Sequence, residues 1–132
     1  MLSRLGASLA LGAALLLLAA APAAYAEDPV DLDGAYVLDA VGAISGSESE
    51  VQSALDSLFT RADIGLYVVY VDTFTNPADP VEWADETAVL NFLGARDLLL
   101  AVATGDRLYS LSIDDTFPLS DAQLDRVEAA IE

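Results

Sequence analysis

The chain has 132 residues, 22 aspartates and glutamates against five arginines, a formal net charge of −17, and no lysine, histidine or cysteine. Those absences remove serine-histidine triads, thiol nucleophiles, imidazole or thiolate zinc sites, Schiff bases and phosphate-loop lysines, and they rule out disulfides. The negative surface repels nucleic acid and anionic lipid headgroups and attracts cations and basic proteins, although the same acidity also serves solubility or adaptation to high salt.

The amino terminus has the layout of a secretory signal peptide. Arg4 supplies the positive end, Leu5 to Ala21 is apolar without a charge, and Ala24-Tyr25-Ala26 offers a small-residue cleavage site. Cleavage after Ala26 is expected, so that residues 1–26 are removed and the mature chain, losing only Arg4 among its cations, carries −18. The alternative is an uncleaved signal anchor, for which the apolar stretch is shorter than the roughly 20 residues of a spanning helix.

Residues 27–34, acidic and turn-rich with little to bury, read as a flexible lead-in. A short strand is expected over Ala35 to Leu38. Ser47-Glu48-Ser49-Glu50 then forms a capping box for a helix whose Val51, Ala54, Leu55, Leu58 and Phe59 fall on one face. Ile64 to Val71 is apolar on both parities, as befits a strand covered on both sides. Asp79-Pro80-Val81-Glu82 combines a cap, a first-turn proline and a second box, predicting a helix to about Phe92 with Trp83, Ala84, Thr87, Ala88 and Phe92 inward.

Asp97 opens a second continuous apolar strand, Leu98 to Ala103. Gly105-Asp106 reads as a two-residue type II′ hairpin turn, glycine taking the positive φ. The return strand, Arg107 to Asp114, alternates Tyr109, Leu111 and Ile113 with Leu108, Ser110 and Ser112, an edge pattern with one wetter face. Ser120-Asp121-Ala122-Gln123 caps a last helix carrying Leu124, Val127 and Ile131. The order β-α-β-α-β-β-α predicts an α/β protein, a three-layer α/β/α sandwich around a small mixed sheet.

Several of these segments together resemble the TPM domain family, known from thylakoid-lumen and photosystem-repair proteins and from bacterial secreted relatives. Val37 to Ser45 is similar to the family's opening pattern of valine, aspartate, glycine, apolar residue and serine. Leu66 to Asp72 resembles its first long strand, Trp83-Ala84 its second-helix tryptophan, and Asp97 to Ala103 with Asp106-Arg107 its aspartate-led strand and basic hairpin. The likeness covers residues 35–132 and implies a TPM-like domain there. Two positions depart from the pattern: Arg96-Asp97-Leu98 lacks the usual glycine before the strand, and Asp114-Asp115-Thr116 replaces a glycine-rich turn. The resemblance implies calcium or other divalent-ion binding, or acid phosphatase activity, and places Asp39 and Asp97 in ligand-bearing motifs.

A turn centred between Gly105 and Asp106 sets Asp97 opposite Asp114, a like-charge pair that costs roughly 0.2–1 kcal/mol and that a cation would relieve. Calcium takes six to eight oxygens, and Asp39, Asp97, Asp114 and Asp115 are hard ligands of the right class. The plainer reading is that these aspartates end strands and solvate loops while Arg96 or Arg107 offsets their charge. The expected function is therefore a secreted or cell-envelope module, non-catalytic, that binds a basic protein or an envelope component, with a divalent cation bracing its loops. Contact with nucleic acid is not expected, and contact with membrane only through a retained signal anchor or a downstream segment. The alternative is a metal-assisted acid phosphatase, in which bound cations neutralise the substrate and activate water.

Overall fold

A computed structural model describes residues 26–132. The signal-peptide reading falls outside the described residues except for Ala26. The elements in chain order are β1 (Ala26–Glu27), β2 (Val37–Asp39), α1 (Glu48–Ala62), β3 (Gly65–Val71), β4 (Thr73–Phe74), α2 (Pro80–Leu90), β5 (Asp97–Ala103), β6 (Leu108–Ile113) and α3 (Asp121–Ile131). No helix among the described residues is long and apolar enough to cross a membrane.

Strands β2, β3, β5 and β6 form one sheet in that order, the first three parallel and β6 antiparallel to β5. The two central strands are apolar on both parities because both of their faces are covered, as expected. Val69, Val71, Leu99, Ala101 and Ala103 pack under α2 against Phe74, Trp83, Ala84 and Leu32. On the other face Leu98 joins Ile64 and Phe117, with Leu58 of α1, Leu124 of α3 and Leu111 packed around them. Helices therefore lie on both sides of a mixed sheet, the α/β/α layering that the element order predicts.

The helix starts are only partly as the sequence implies. Asp79 caps α2 by accepting from Val81 N (2.9 Å) and Glu82 N (3.0 Å). Ser120 of the α3 start donates its N–H to Gln123 Oε1 at 2.9 Å. The box at Ser47 does not form: its side chain makes no cap bond, and Glu48 instead accepts from Gly46 N at 2.8 Å.

Two expectations are corrected by packing. Residues 27–34 are fastened down. Trp83 Nε1 donates to the Glu27 carbonyl (2.8 Å), Asn91 Nδ2 donates to the Val30 carbonyl (2.7 Å), and Asn91 Oδ1 accepts from Leu32 N (2.7 Å). Leu32 is 3% exposed, so the segment does have something to bury: it roofs the tryptophan. The hairpin keeps its predicted register, Leu98 opposite Ile113, but spans residues 104–107 with Arg107 at φ 55°. Gly105 is needed there because a Cβ would run into the Asp72 side chain and carbonyl, which leave it no room. The serine face of β6 is the covered one: Ser110 and Ser112 are buried under α2, whose Asp85 accepts from Ser112 Oγ at 2.6 Å. Small hydroxyl side chains let the helix sit close, while Tyr109 and Ile113 on the opposite parity are more exposed.

Phe92 also lies elsewhere than expected. Helix α2 ends in a Schellman motif, with Phe92 N donating to Val89 O (3.1 Å) and Leu93 N to Ala88 O (3.0 Å). Phe92 occupies the left-handed position of that motif at φ 55°, outside the helix. For a residue with a Cβ this conformation costs roughly 1–2 kcal/mol, which is why glycine is the usual occupant.

Replacing Asn91 with alanine leaves the Leu32 N–H and the Val30 carbonyl without partners. We expect Asn91→Ala to lower stability by about 1–3 kcal/mol. Amide exchange should accelerate first over residues 28–33, and unchanged protection there would contradict the clamp.

Candidate functional site

The hairpin register brings the start of β5 beside the end of β6, and the carboxylates at that rim border a cleft. Its walls include Asp85 and Val89 from α2, Gly94 from the α2–β5 loop, Asp97, Asp114 and Asp115, around a volume of about 300 Å³. Three of the four acids expected to share a cation are thus gathered in one place. Asp85 is the acid that sequence reasoning missed. Its signal was the serine parity of β6, whose hydroxyls take a hydrogen-bond acceptor where a helix covers them.

Asp39 is not part of this cleft. It pairs with Tyr70 at the carboxyl end of β3, whereas Asp97 pairs with Gly65 at the amino end, five residues earlier. At about 3.3 Å per residue the two lie roughly 16 Å apart along the strand direction alone. The Asp39 carboxylate is taken up locally, accepting from Ala43 N (2.9 Å), Ile44 N (3.0 Å) and, more distantly, Val41 N (3.3 Å). Slight desolvation favours its protonated form, but the amides of Ile44, Ala43, Val41 and Gly42 together outweigh that and hold its pKa below the ordinary value. The aspartate-to-serine pattern at residues 39–45 is thus the sequence of a loop wrapped around its own anion.

The rim acids are also partnered by the chain. Asp97 Oδ2 accepts from Gly94 N at 2.8 Å, and Oδ1 stands where a Cβ on Gly65 would be, so a larger residue there would push the carboxylate aside. Asp114 Oδ1 accepts from the Thr116 hydroxyl and from Thr116 N (2.8 Å), and these bonds lower its pKa. Burial first, then the charge of Asp97 and the neighbouring Tyr36 ring, raise the pKa of Tyr67 and keep its phenol neutral. Tyr36 stacks on that ring with centroids 4.9 Å apart.

Neither arginine invoked to offset the rim does so. Arg96 turns to the end of α1, donating to the carbonyls of Asp63 (2.7 Å) and Ala62 (2.8 Å) and pairing with the Asp63 carboxylate at 3.0 Å. Arg107 sits in the hairpin turn at the opposite end of the sheet. Among the described residues, no three histidine, cysteine, aspartate or glutamate side chains stand together as a metal-binding group. Asp97 Oδ2 and Asp114 Oδ1 are held by backbone amides, so a cation at this rim would share these carboxylates with the chain.

The family model of the TPM domain matches residues 37–132, and the chain belongs to the TPM domain family. UPF0603 protein Rv2345 of Mycobacterium tuberculosis H37Rv and UPF0603 protein MT2410 of the CDC 1551 / Oshkosh strain are each 38% identical to it over 123 residues. That alignment covers 89% of this chain but 18% of each relative, so the chain spans less than a fifth of their length. The solution NMR structure of the N-terminal domain of cg2496 protein from Corynebacterium glutamicum superimposes with a TM-score of 0.62 at 26% identity. It covers 80% of this chain and 70% of that one.

The position of Asp39 yields a test that separates loop chemistry from rim chemistry. Because its pKa is lowered on folding, Asp39 contributes stability that is present above its unfolded value near 3.8 and lost as pH falls through the folded one. Asp39→Asn should cost about 1–2 kcal/mol at neutral pH and flatten this acid arm of the stability curve. Any chemical-shift response of the Asp97 and Asp114 amides to calcium should be unchanged by the substitution.

Proposed function

We propose that this TPM domain is an exported, non-catalytic module that recruits a basic protein or a basic cell-envelope component. The observation that carries the reading is the cleft at the head of β5, which gathers Asp85, Asp97, Asp114 and Asp115 with no arginine in its walls. Such a surface draws cationic partners and speeds their encounter at low ionic strength. Export rests on the signal-peptide pattern of residues 1–26. The chain's inventory supports the absence of catalysis: the cleft serine, Ser112, is hydrogen-bonded to Asp85 and has no histidine or lysine to activate it. A divalent cation is an accessory in this reading, confined to the Asp85, Asp97, Asp114 and Asp115 rim, and no step depends on it.

Affinity capture from envelope extracts at low salt should recover a partner of high isoelectric point that elutes as salt rises. Recovery of nothing specific would overturn the reading. The metal-assisted phosphatase makes the opposite prediction for a generic phosphomonoester. We expect no hydrolysis above blank with calcium, magnesium or chelator, because an uncompensated acidic cleft repels phosphate esters. Metal-stimulated turnover that Asp97→Asn abolishes would install the phosphatase instead.

A further inference from the structure

Resting on that recruitment reading, we propose that the last turn of α2 is the docking site, and that it accepts a protein segment presenting apolar side chains flanked by lysine or arginine. Three observations converge there. Phe92 is 93% exposed in a left-handed position that glycine fills with less strain, so local stability does not account for an aromatic ring at this point. On the same turn Val89 is 76% and Leu90 44% exposed. Pro29, Val89 and Leu90 wall a second hollow of about 450 Å³ together with Asp85 and Glu86, and Val89 also forms part of the Asp97 cleft. Val89 thus stands between two acid-edged hollows, with Leu90 and Phe92 exposed beside it in the chain, the arrangement of an interface centre with a polar rim.

Charge selects the occupant. No arginine lines either hollow, and the last turn of α2 has no basic residue, so the negative end of the helix dipole is unanswered. A second copy of the chain would bring the same acids into opposition, and an anionic bilayer is repelled for the same reason. A cationic, apolar segment meets both requirements: its side chains cover Phe92, Val89 and Leu90, and its charges face Asp85, Glu86 and the Asp97 rim.

The test uses the purified protein and two fluorescent 20-residue amphipathic peptides, one with leucines flanked by lysine and arginine and one with the same charges but alanine for leucine. Anisotropy should show the leucine peptide binding more tightly. Phe92→Gly should weaken it about tenfold or more while the thermal midpoint holds or rises. Val89→Ser should weaken it similarly, which keeps the proposal falsifiable if Phe92→Gly folds poorly. Val81→Ser, on an exposed residue at the other end of α2, should leave binding unchanged. Equal binding by both variants and the parent would overturn the docking site. If the alanine peptide still bound in a salt-dependent way, the recruitment reading would survive that result. Failure of both peptides at low salt would overturn both. Dimerisation, or sedimentation with anionic vesicles, that Phe92→Gly abolished would overturn the choice of partner.

Discussion

The parallel pairing of β3 with β5 is the constraint on which the remaining structure hangs. Seven consecutive residue pairs, from Gly65 with Asp97 to Val71 with Ala103, join two strands that are covered on both faces. A parallel pair needs a crossover, and the crossover here carries α2 over the face formed by Val69, Val71, Leu99 and Ala101. Once that register is set, Asp97 stands at the head of its strand beside Gly65. The hairpin after Ala103 must then return toward the same rim.

Much of this was legible in the sequence. The continuous apolar runs at 64–71 and 98–103 identify central strands because apolar residues on both parities call for cover on both faces. The register of the hairpin follows from the centre of the turn alone, so Leu98 still faces Ile113 although the loop has four residues rather than two. What was not legible depended on contacts distant in the chain. Leu32 lies among acids and glycine, and only the arrival of Asn91, 59 residues later, marks it as a core residue. The alternation of β6 does not say which of its faces is covered until α2 is placed above Ser110 and Ser112 with Asp85 as acceptor. Asp39 shares residue type with the rim, but a parallel sheet separates residues at strand starts from residues at strand ends.

The acidic chain manages its charge chiefly with its own amides. Asp39, Asp79, Asp97 and Asp114 each accept from backbone N–H groups nearby in sequence. This local pairing lowers the protonation tendency of Asp39 and Asp114 without spending an arginine. The one ion pair among the described residues closes the end of α1 instead. Charge left over after this pairing is what the surface offers to its surroundings, and the cleft beside α2 is lined by Asp85, Asp97, Asp114 and Asp115.

The amino-terminal segment bears on how the domain should be delimited. The match to the family model begins at Val37, yet Trp83 is roofed by residues beginning at Glu27 and Asn91 reaches back to Val30 and Leu32. A fragment cut at the family boundary would strip the cover from the most buried aromatic pair, Phe74 and Trp83, whose rings lie 4.7 Å apart. An excised version that begins at Glu27 keeps this cover, whereas one that begins at Val37 leaves the indole N–H of Trp83 without its carbonyl.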